Sequence, residues 1–409
     1  MRKFLISGEQ ILTFACLMLY SGTPLDAFLT DGYTVQEGDR TIFRLLYTFT
    51  YIVSLCFIAL RWKKVTYVFS RDKFIWILIG VCALSSFWSL DAGITLRRAI
   101  GLAGTSIFGL YLASRYTINQ QLKLCAYMLG ISAVMCFVFV ILIPKYGLSG
   151  GIDGNTWRGI FQTKNVLGKR FVLSGAVFFF LAMTTQKNRL VLWVGYITSG
   201  LLVILSKSTT SLGNFIIITG AFLIYYRILN LKYKVMIPVV TFALAFGIAF
   251  YTWFLANADT ILGSVGKDTT LTGRAELWPA VLQMIAKKPW LGYGYGAFWT
   301  EKGESSIIVQ TVEWNAPNAH NGFLDLWLAL GLLGILIFLI GFVINLLRGI
   351  YLIRWNQTSQ NLWLLVYLTY IILSNLTETT LLEQNSLEWI LYVSAILSSK
   401  VSTRTNLSK

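Results

Sequence analysis

The stretch Pro317-Asn318-Ala319-His320-Asn321-Gly322, followed by Phe323-Leu-Asp325-Leu-Trp-Leu-Ala-Leu-Gly331-Leu-Leu-Gly334-Ile-Leu-Ile-Phe-Leu-Ile-Gly-Phe-Val343, decides how this chain is read. From Phe323 to Val343 the only charge is Asp325, and about twenty apolar residues are what a helix needs to cross a ~30 Å hydrocarbon core. The long hydrophilic stretch Asn257 to Asn321 leads into it. His320 is the single histidine among 409 residues. The chain's one imidazole thus stands where a polar segment meets an apolar helix, the geometry of a catalytic group at a bilayer surface.

Working outward, hydrophobic residues make up 56% of the chain and charged ones only 13%, a balance foreign to soluble domains. The pattern predicts an all-α polytopic membrane protein, a single membrane domain over 1–409. About twelve spanning helices are expected, centred near Phe14, Ile52, Val81, Ser106, Val134, Phe178, Val194, Ile218, Ala245, Leu333, Val366 and Tyr392. Lys and Arg alternate with them. Arg2, Lys3, Arg61, Arg115, Lys187, Arg227, Arg348 and Lys400 fall on one side, which places both termini in the cytoplasm of a bacterial inner membrane. Much of the net charge of +16 is accounted for by topology and anionic lipid, so nucleic acid is not an expected partner. Glu9 interrupts the first apolar run and no Ala-x-Ala site follows, which argues for a first membrane helix over a cleaved signal. The five cysteines lie in apolar spans and read as packing residues.

Two outer loops stand out. The first, 144–165, is rich in glycine and unsuited to a continuous helix. It and the residues after it carry Lys145, Arg158, Lys164, Lys169 and Arg170. The second, the large loop 257–320 between helices nine and ten, carries Lys267, Arg274, Lys287, Lys288 and Lys302. Cations held against the topological bias point to an anionic ligand. Within the second loop, Trp278, Val281, Leu282 and Ile285 share a helical face, and Lys287, Lys288 and Pro289 mark its end. A short amphipathic helix lying on the outer leaflet is expected, starting within a residue or two of Pro279.

Four segments carry candidate chemistry: Trp157-Arg158-Gly159-Ile160-Phe161-Gln162-Thr163-Lys164-Asn165, Ser206-Lys207-Ser208-Thr209, Thr272-Gly273-Arg274-Ala275-Glu276-Leu277-Trp278, and the segment around His320. With these the chain resembles the O-antigen ligase and polysaccharide polymerase superfamily of bacterial envelopes: Gly273-Arg274 with Trp278, Pro289-Trp-Leu-Gly292-Tyr-Gly294, and Ala319-His320-Asn321 leading to Gly331 and Gly334 match that family in order and spacing. The specific part of the likeness is the last third of the chain up to Gly334. It implies a glycosyltransferase acting on a lipid-linked glycan, with His320 in the catalytic position and Arg274 binding the diphosphate. Where that family commonly shows Ser-Arg, this chain reads Ser208-Thr209 with Lys207 before it. A lysine supplies a point charge without a bidentate contact, so Arg158 or Lys164 is the alternative source of the missing cation. Arg158-Gly-x-Phe-x-x-Lys-Asn looks closer to the exopolysaccharide polymerases, and ligase and polymerase both stay open.

The residues support that chemistry independently. Moving a glycan from a polyprenyl diphosphate to a sugar hydroxyl requires a base for the hydroxyl and positive charge for the leaving diphosphate. Neighbouring cations are expected to keep His320 neutral and able to accept a proton. Asn165, Trp278, Asn318, Asn321, Glu378 and Glu383 are candidate contacts to donor or acceptor, which is a glycan or glycolipid. With no His-Glu-x-x-His and no Asp-x-Asp, neither a metal nor another cofactor is expected. Gly292-Tyr-Gly294-Tyr-Gly296 follows no βαβ strand and reads as a turn rather than a phosphate loop. Arg97 and Arg98, inside the fourth span, call for a carboxylate partner or an aqueous cleft. The reading from another class is a transporter of a small anion or lipid-linked sugar, which broken helices in two matched repeats would favour; the sequence shows no repeat.

Overall fold

The computed structural model describes residues 2–22, 37–149, 156–228, 235, 238, 274–300, 303–312, 316–356 and 359–405. Its helices are α1 (Arg2–Ser21), α2 (Glu37–Ala59), α3 (Trp62–Phe69), α4 (Phe74–Leu84), α5 (Ala92–Arg115), α6 (Ile118–Leu142), α7 (Lys164–Thr184), α8 (Arg189–Leu205) and α9 (Thr209–Ile228). After these come α10 (Arg274–Lys287), α11 (Ser305–Val312), α12 (Gly322–Asn356), α13 (Ser359–Thr377) and α14 (Leu387–Thr405). Eleven of the expected helix centres fall inside them; Ala245, with Lys267 and Lys302, lies outside the described residues. Thr41–Ala59, Ile118–Leu142, Lys164–Thr184, Thr209–Arg227 and Gly322–Ile353 are each long and apolar enough to cross a membrane, and shorter apolar helices accompany them.

The starts of these helices are written locally. Short polar side chains accept the first orphan amide protons: Asp91 from Ile94, Thr163 from Val166, Ser386 from Trp389, and Thr117 with Gln120 in a reciprocal capping box. Leu, Ile, Val and Phe follow, and packing does the rest. Of the five long spans α7 is the most enclosed, set among α6, α8, α9 and α13, while α14 lies along α5 and α12 along α4 and α13.

Charge sorts to the two ends. At one, Glu9 accepts both Arg61 guanidinium nitrogens at 2.8 Å and meets Arg115 at 3.1 Å, with the Tyr111 hydroxyl at 3.0 Å. The acid that breaks the first apolar run is therefore a buried ion-pair partner. The opposite end gathers the 85–91 turn, residues 289–296, the His320 segment and the turn 378–386. Two expectations change there. Lys169 and Arg170 lie within α7 rather than in a loop, and Arg170 is 3.2 Å from Glu388, the two side chains 8% and 1% exposed. The helix α10 forms, but Leu282 is exposed, Pro279 lies inside it, and Leu277, Ala280, Val281, Met284 and Ile285 pack with Tyr293, Phe298, Ile308 and Ala319. That face covers a small core of the loop's own rather than lipid. In the first loop, a helical turn Pro144–Gly147 leads to Leu148–Ser149, paired antiparallel with Thr156–Trp157.

Candidate functional site

The site is built around a broken helix. Inside α12, Gly331 adopts φ 65° and ψ −164°, a conformation only glycine tolerates readily, and a Cβ there would lie 2.2 Å from the Trp290 carbonyl. The break frees backbone groups that the 289–294 segment takes up. Tyr293 and Gly294 amides donate to the Leu328 and Ala329 carbonyls at 2.8 and 3.0 Å, and the Leu332 amide donates to Pro289 at 2.8 Å. This accounts for the glycines of that segment: Gly292, Gly294 and Gly296 all have positive φ, and the segment is a turn, as expected, whose backbone is spliced into a helix.

The half-helix N-terminal to the break carries the His320 segment. Asn321 caps it, its Oδ1 accepting from the Phe323 and Leu324 amides at 3.0 and 3.2 Å. His320 stands at φ 47°, left-handed, with its amide on Asn318 Oδ1 at 2.9 Å. What holds this turn is Asp325. Its carboxylate accepts from Trp299 Nε1 at 2.7 Å, from the Ala319 amide at 3.2 Å, and from the Thr379 hydroxyl. Trp278 Nε1 donates to the Ala319 carbonyl at 3.0 Å, so α10 braces the same turn.

The imidazole faces a carboxylate: His320 Nδ1 lies 3.5 Å from Glu378 Oε2, both side chains about one-fifth exposed. Expectation had placed cations around the ring. A carboxylate beside Nδ1 instead favours the tautomer with its proton there, leaving Nε2 to accept one. Next to the pair opens a cavity of about 350 Å³, lined among others by Arg98, Trp299, Asn318, Thr379, Glu383 and Gln384. Glu383 is open to it, yet protein surrounds the carboxyl, and that desolvation pushes its pKa above the ordinary range; Lys169 and Arg170 oppose the shift while Glu388 and Glu378 add to it.

The structure therefore brings His320, Asn318, Asn321, Trp278, Glu378 and Glu383 into one region. Lys164 and Asn165 open α7, and Lys207, exposed and left-handed at φ 53°, precedes α9. These two helix starts meet closely: a Cβ on Gly168 would lie 2.4 Å from Ser211 Oγ. Arg158 is 3% exposed and donates to the Leu148 and Gln162 carbonyls at 3.1 and 3.4 Å, so its guanidinium already braces the first loop. Arg274 begins α10, and its side chain lies outside the described residues. Sequence reasoning assigned no site role to Asp325 or Arg98. The signal for the first was an acid in the opening turn of an otherwise apolar helix, and for the second a charge inside a span.

Residues 194–339 match the family model described as O-Antigen ligase, a region that runs from α8 through Lys207, Arg274 and His320 into α12. The chain is also 26% identical over 318 residues to "Exopolysaccharide production protein ExoQ" of Rhizobium meliloti (strain 1021), an alignment covering 75% of this chain and 70% of that protein.

Proposed function

We propose that this chain, which those likenesses place in the O-antigen ligase and polysaccharide polymerase superfamily, transfers a glycan from a polyprenyl diphosphate carrier to a sugar hydroxyl at the outer face of the bacterial inner membrane. The observation that carries the reading is the His320–Glu378 pair beside a cavity that holds polar and charged side chains, within and beside the family match. In the proposed reaction Nε2 of His320 takes the hydroxyl proton as the acceptor oxygen bonds to the anomeric carbon. The bond from that carbon to the diphosphate breaks, and the electron pair leaves on the diphosphate. One displacement inverts the anomeric centre. Arg274 and Lys207 stabilise the departing charge, with Lys164 as a further cation and Arg158 holding the loop that leads to it. Diphosphate leaves without a proton, so no acid and no divalent metal is required.

The name of the Rhizobium relative and the Arg158–Asn165 segment favour a polymerase, whose acceptor is another lipid-linked repeat, over a ligase. The transporter reading loses ground because the backbone freed at Gly331 is bonded by the protein's own 289–294 segment.

The test is reconstitution with lipid-linked oligosaccharide and a chelator. Product should form in the chelator's presence, and His320→Ala should lower the rate by about 10²–10⁴-fold. Unchanged polymer in that variant, product only after divalent metal is restored, or glycan released to water without acceptor would overturn the proposal.

A further inference from the structure

Two carboxylates and one guanidinium line the cavity beside His320: Asp325, Glu383 and Arg98. A diphosphate entering it would meet more negative charge than positive, and Asp325 is already committed to Trp299, Thr379 and Ala319. The remaining polar groups, Asn318, Thr379, Gln384, Glu383 and the Arg98 side chain, are planar or hydroxylic donors and acceptors set among aromatic rings. That mixture is how a neutral polyhydroxylated ring is held: carboxylate and carboxamide oxygens accept from hydroxyls, the guanidinium donates to them, and aromatic faces cover C–H surface. At about 350 Å³ the space falls in the range of small-ligand sites.

Its position assigns a task. Asn318 lines the cavity and receives the His320 amide at 2.9 Å; Thr379 lines it and adjoins Glu378, whose carboxylate faces the imidazole. The cavity therefore adjoins the two turns that carry the proposed base and its carboxylate. Arg98 is fixed in this wall because Gly296 has no side chain: a Cβ on it would lie 2.4 Å from Arg98 Cδ. Its neighbour Arg97 is exposed.

We infer that this cavity is a saccharide subsite taking one neutral sugar residue of the glycan substrate, with Glu383 and Arg98 as its polar handles and the diphosphate bound elsewhere. The inference rests on the proposed transferase reading. A neutral sugar occurs on both donor and acceptor, so the test separates them.

The experiment uses the full chain in nanodiscs and, as probe, the delipidated and dephosphorylated oligosaccharide of the host's own repeat, followed by saturation-transfer NMR. Expected are binding by the wild type, at least tenfold weaker binding by Glu383→Gln and by Arg98→Gln, and no displacement by inorganic pyrophosphate. His320→Ala should bind the probe normally. In turnover, Glu383→Gln should raise the KM of one substrate alone: that of the acceptor if the subsite is the acceptor's, that of the donor if it is the donor's. Pyrophosphate displacing the probe, or both cavity variants binding it like wild type with unaltered KM values, overturns the inference. Normal transfer by His320→Ala with cavity binding intact would sink the transferase chemistry while leaving the subsite standing; His320-dependent transfer with unaffected cavity variants would do the reverse.

Discussion

Asp325→Ala should loosen the His320 turn without unfolding the bundle. The carboxylate takes three donors from three separate elements: Trp299 Nε1 at 2.7 Å, the Ala319 amide at 3.2 Å and the Thr379 hydroxyl. A hydrogen bond to a charged acceptor contributes about 1.5–3 kcal/mol, but the cavity lets water reach some of the orphaned donors, so a net loss of about 3 kcal/mol is the working figure. The strain of His320 at φ 47°, on the order of 1 kcal/mol for a non-glycine residue, would then be opposed by fewer contacts. Three kilocalories correspond to roughly 10²-fold in an opening equilibrium. Hydrogen exchange at the Ala319 and His320 amides should accelerate by about that factor, and kcat should fall by up to the same factor with little change in KM. Asp325→Asn, which keeps one acceptor oxygen and turns an NH2 toward a donor, should lie between. If Asp325→Ala leaves both the exchange of those amides and kcat within about threefold of wild type, Asp325 does not hold the turn.

Glu378→Gln removes the acceptor that favours a proton on Nδ1, so kcat should drop about tenfold or more with KM unaltered; an unchanged kcat would leave Glu378 without a part in orienting the ring. Gly331→Ala places a methyl 2.2 Å from the Trp290 carbonyl at a backbone angle alanine resists, and should lower stability by about 2–4 kcal/mol, read as a thermal shift in nanodiscs. Arg170→Met leaves Glu388 buried without its cation, at about 3–5 kcal/mol, whereas Arg170→Met combined with Glu388→Gln should recover more than half of the loss; equal melting of single and double variants would refute the pairing. The raised pKa of Glu383 means its contribution favours the fold below the ordinary carboxylate pKa and is lost as pH rises through the raised value. Glu383→Gln should therefore melt like wild type near about pH 4 and higher than wild type at neutral pH, and a constant difference across that range would contradict the shift.

The helices were legible because hydropathy alone specifies a span, and the uniqueness of His320 made it legible too. What the sequence could not convey was phase and partnership. Arg97 and Arg98 are adjacent letters, but a helix turns by about 100° between them, and only Arg98 meets the cavity. The same limit applies to the apolar face of α10: Trp278, Val281, Leu282 and Ile285 were expected to face the outer leaflet together, whereas the set that packs against protein includes Leu277 and Met284 but not Leu282, and Trp278 donates to the Ala319 carbonyl. Arg158 and Arg170 read as free outer cations, yet one holds backbone carbonyls and the other a buried glutamate, partners remote in sequence or without side-chain identity. Glycines at 292, 294 and 331 were visible as a spacing. Their reason, one backbone entering the gap in another, exists only in three dimensions.

The division of charge at this end of the bundle bears on the proposed reaction. Carboxylates surround the base: Glu378 on the ring, Asp325 under the turn, Glu383 across the cavity. Lysines lie on other elements: Lys164 opens α7 and Lys207 precedes α9, two helices whose starts pack closely and whose N-terminal ends favour an anion, while Lys169, further along α7, bears on Glu383. A transferase benefits from that separation. In the proposed reaction the hydroxyl and its base would meet among carboxylates, and the diphosphate would bind beside the lysines at the helix starts. Reversing one of these carboxylates is informative: Glu383→Lys should let pyrophosphate compete with the oligosaccharide probe, which the wild-type cavity should not allow.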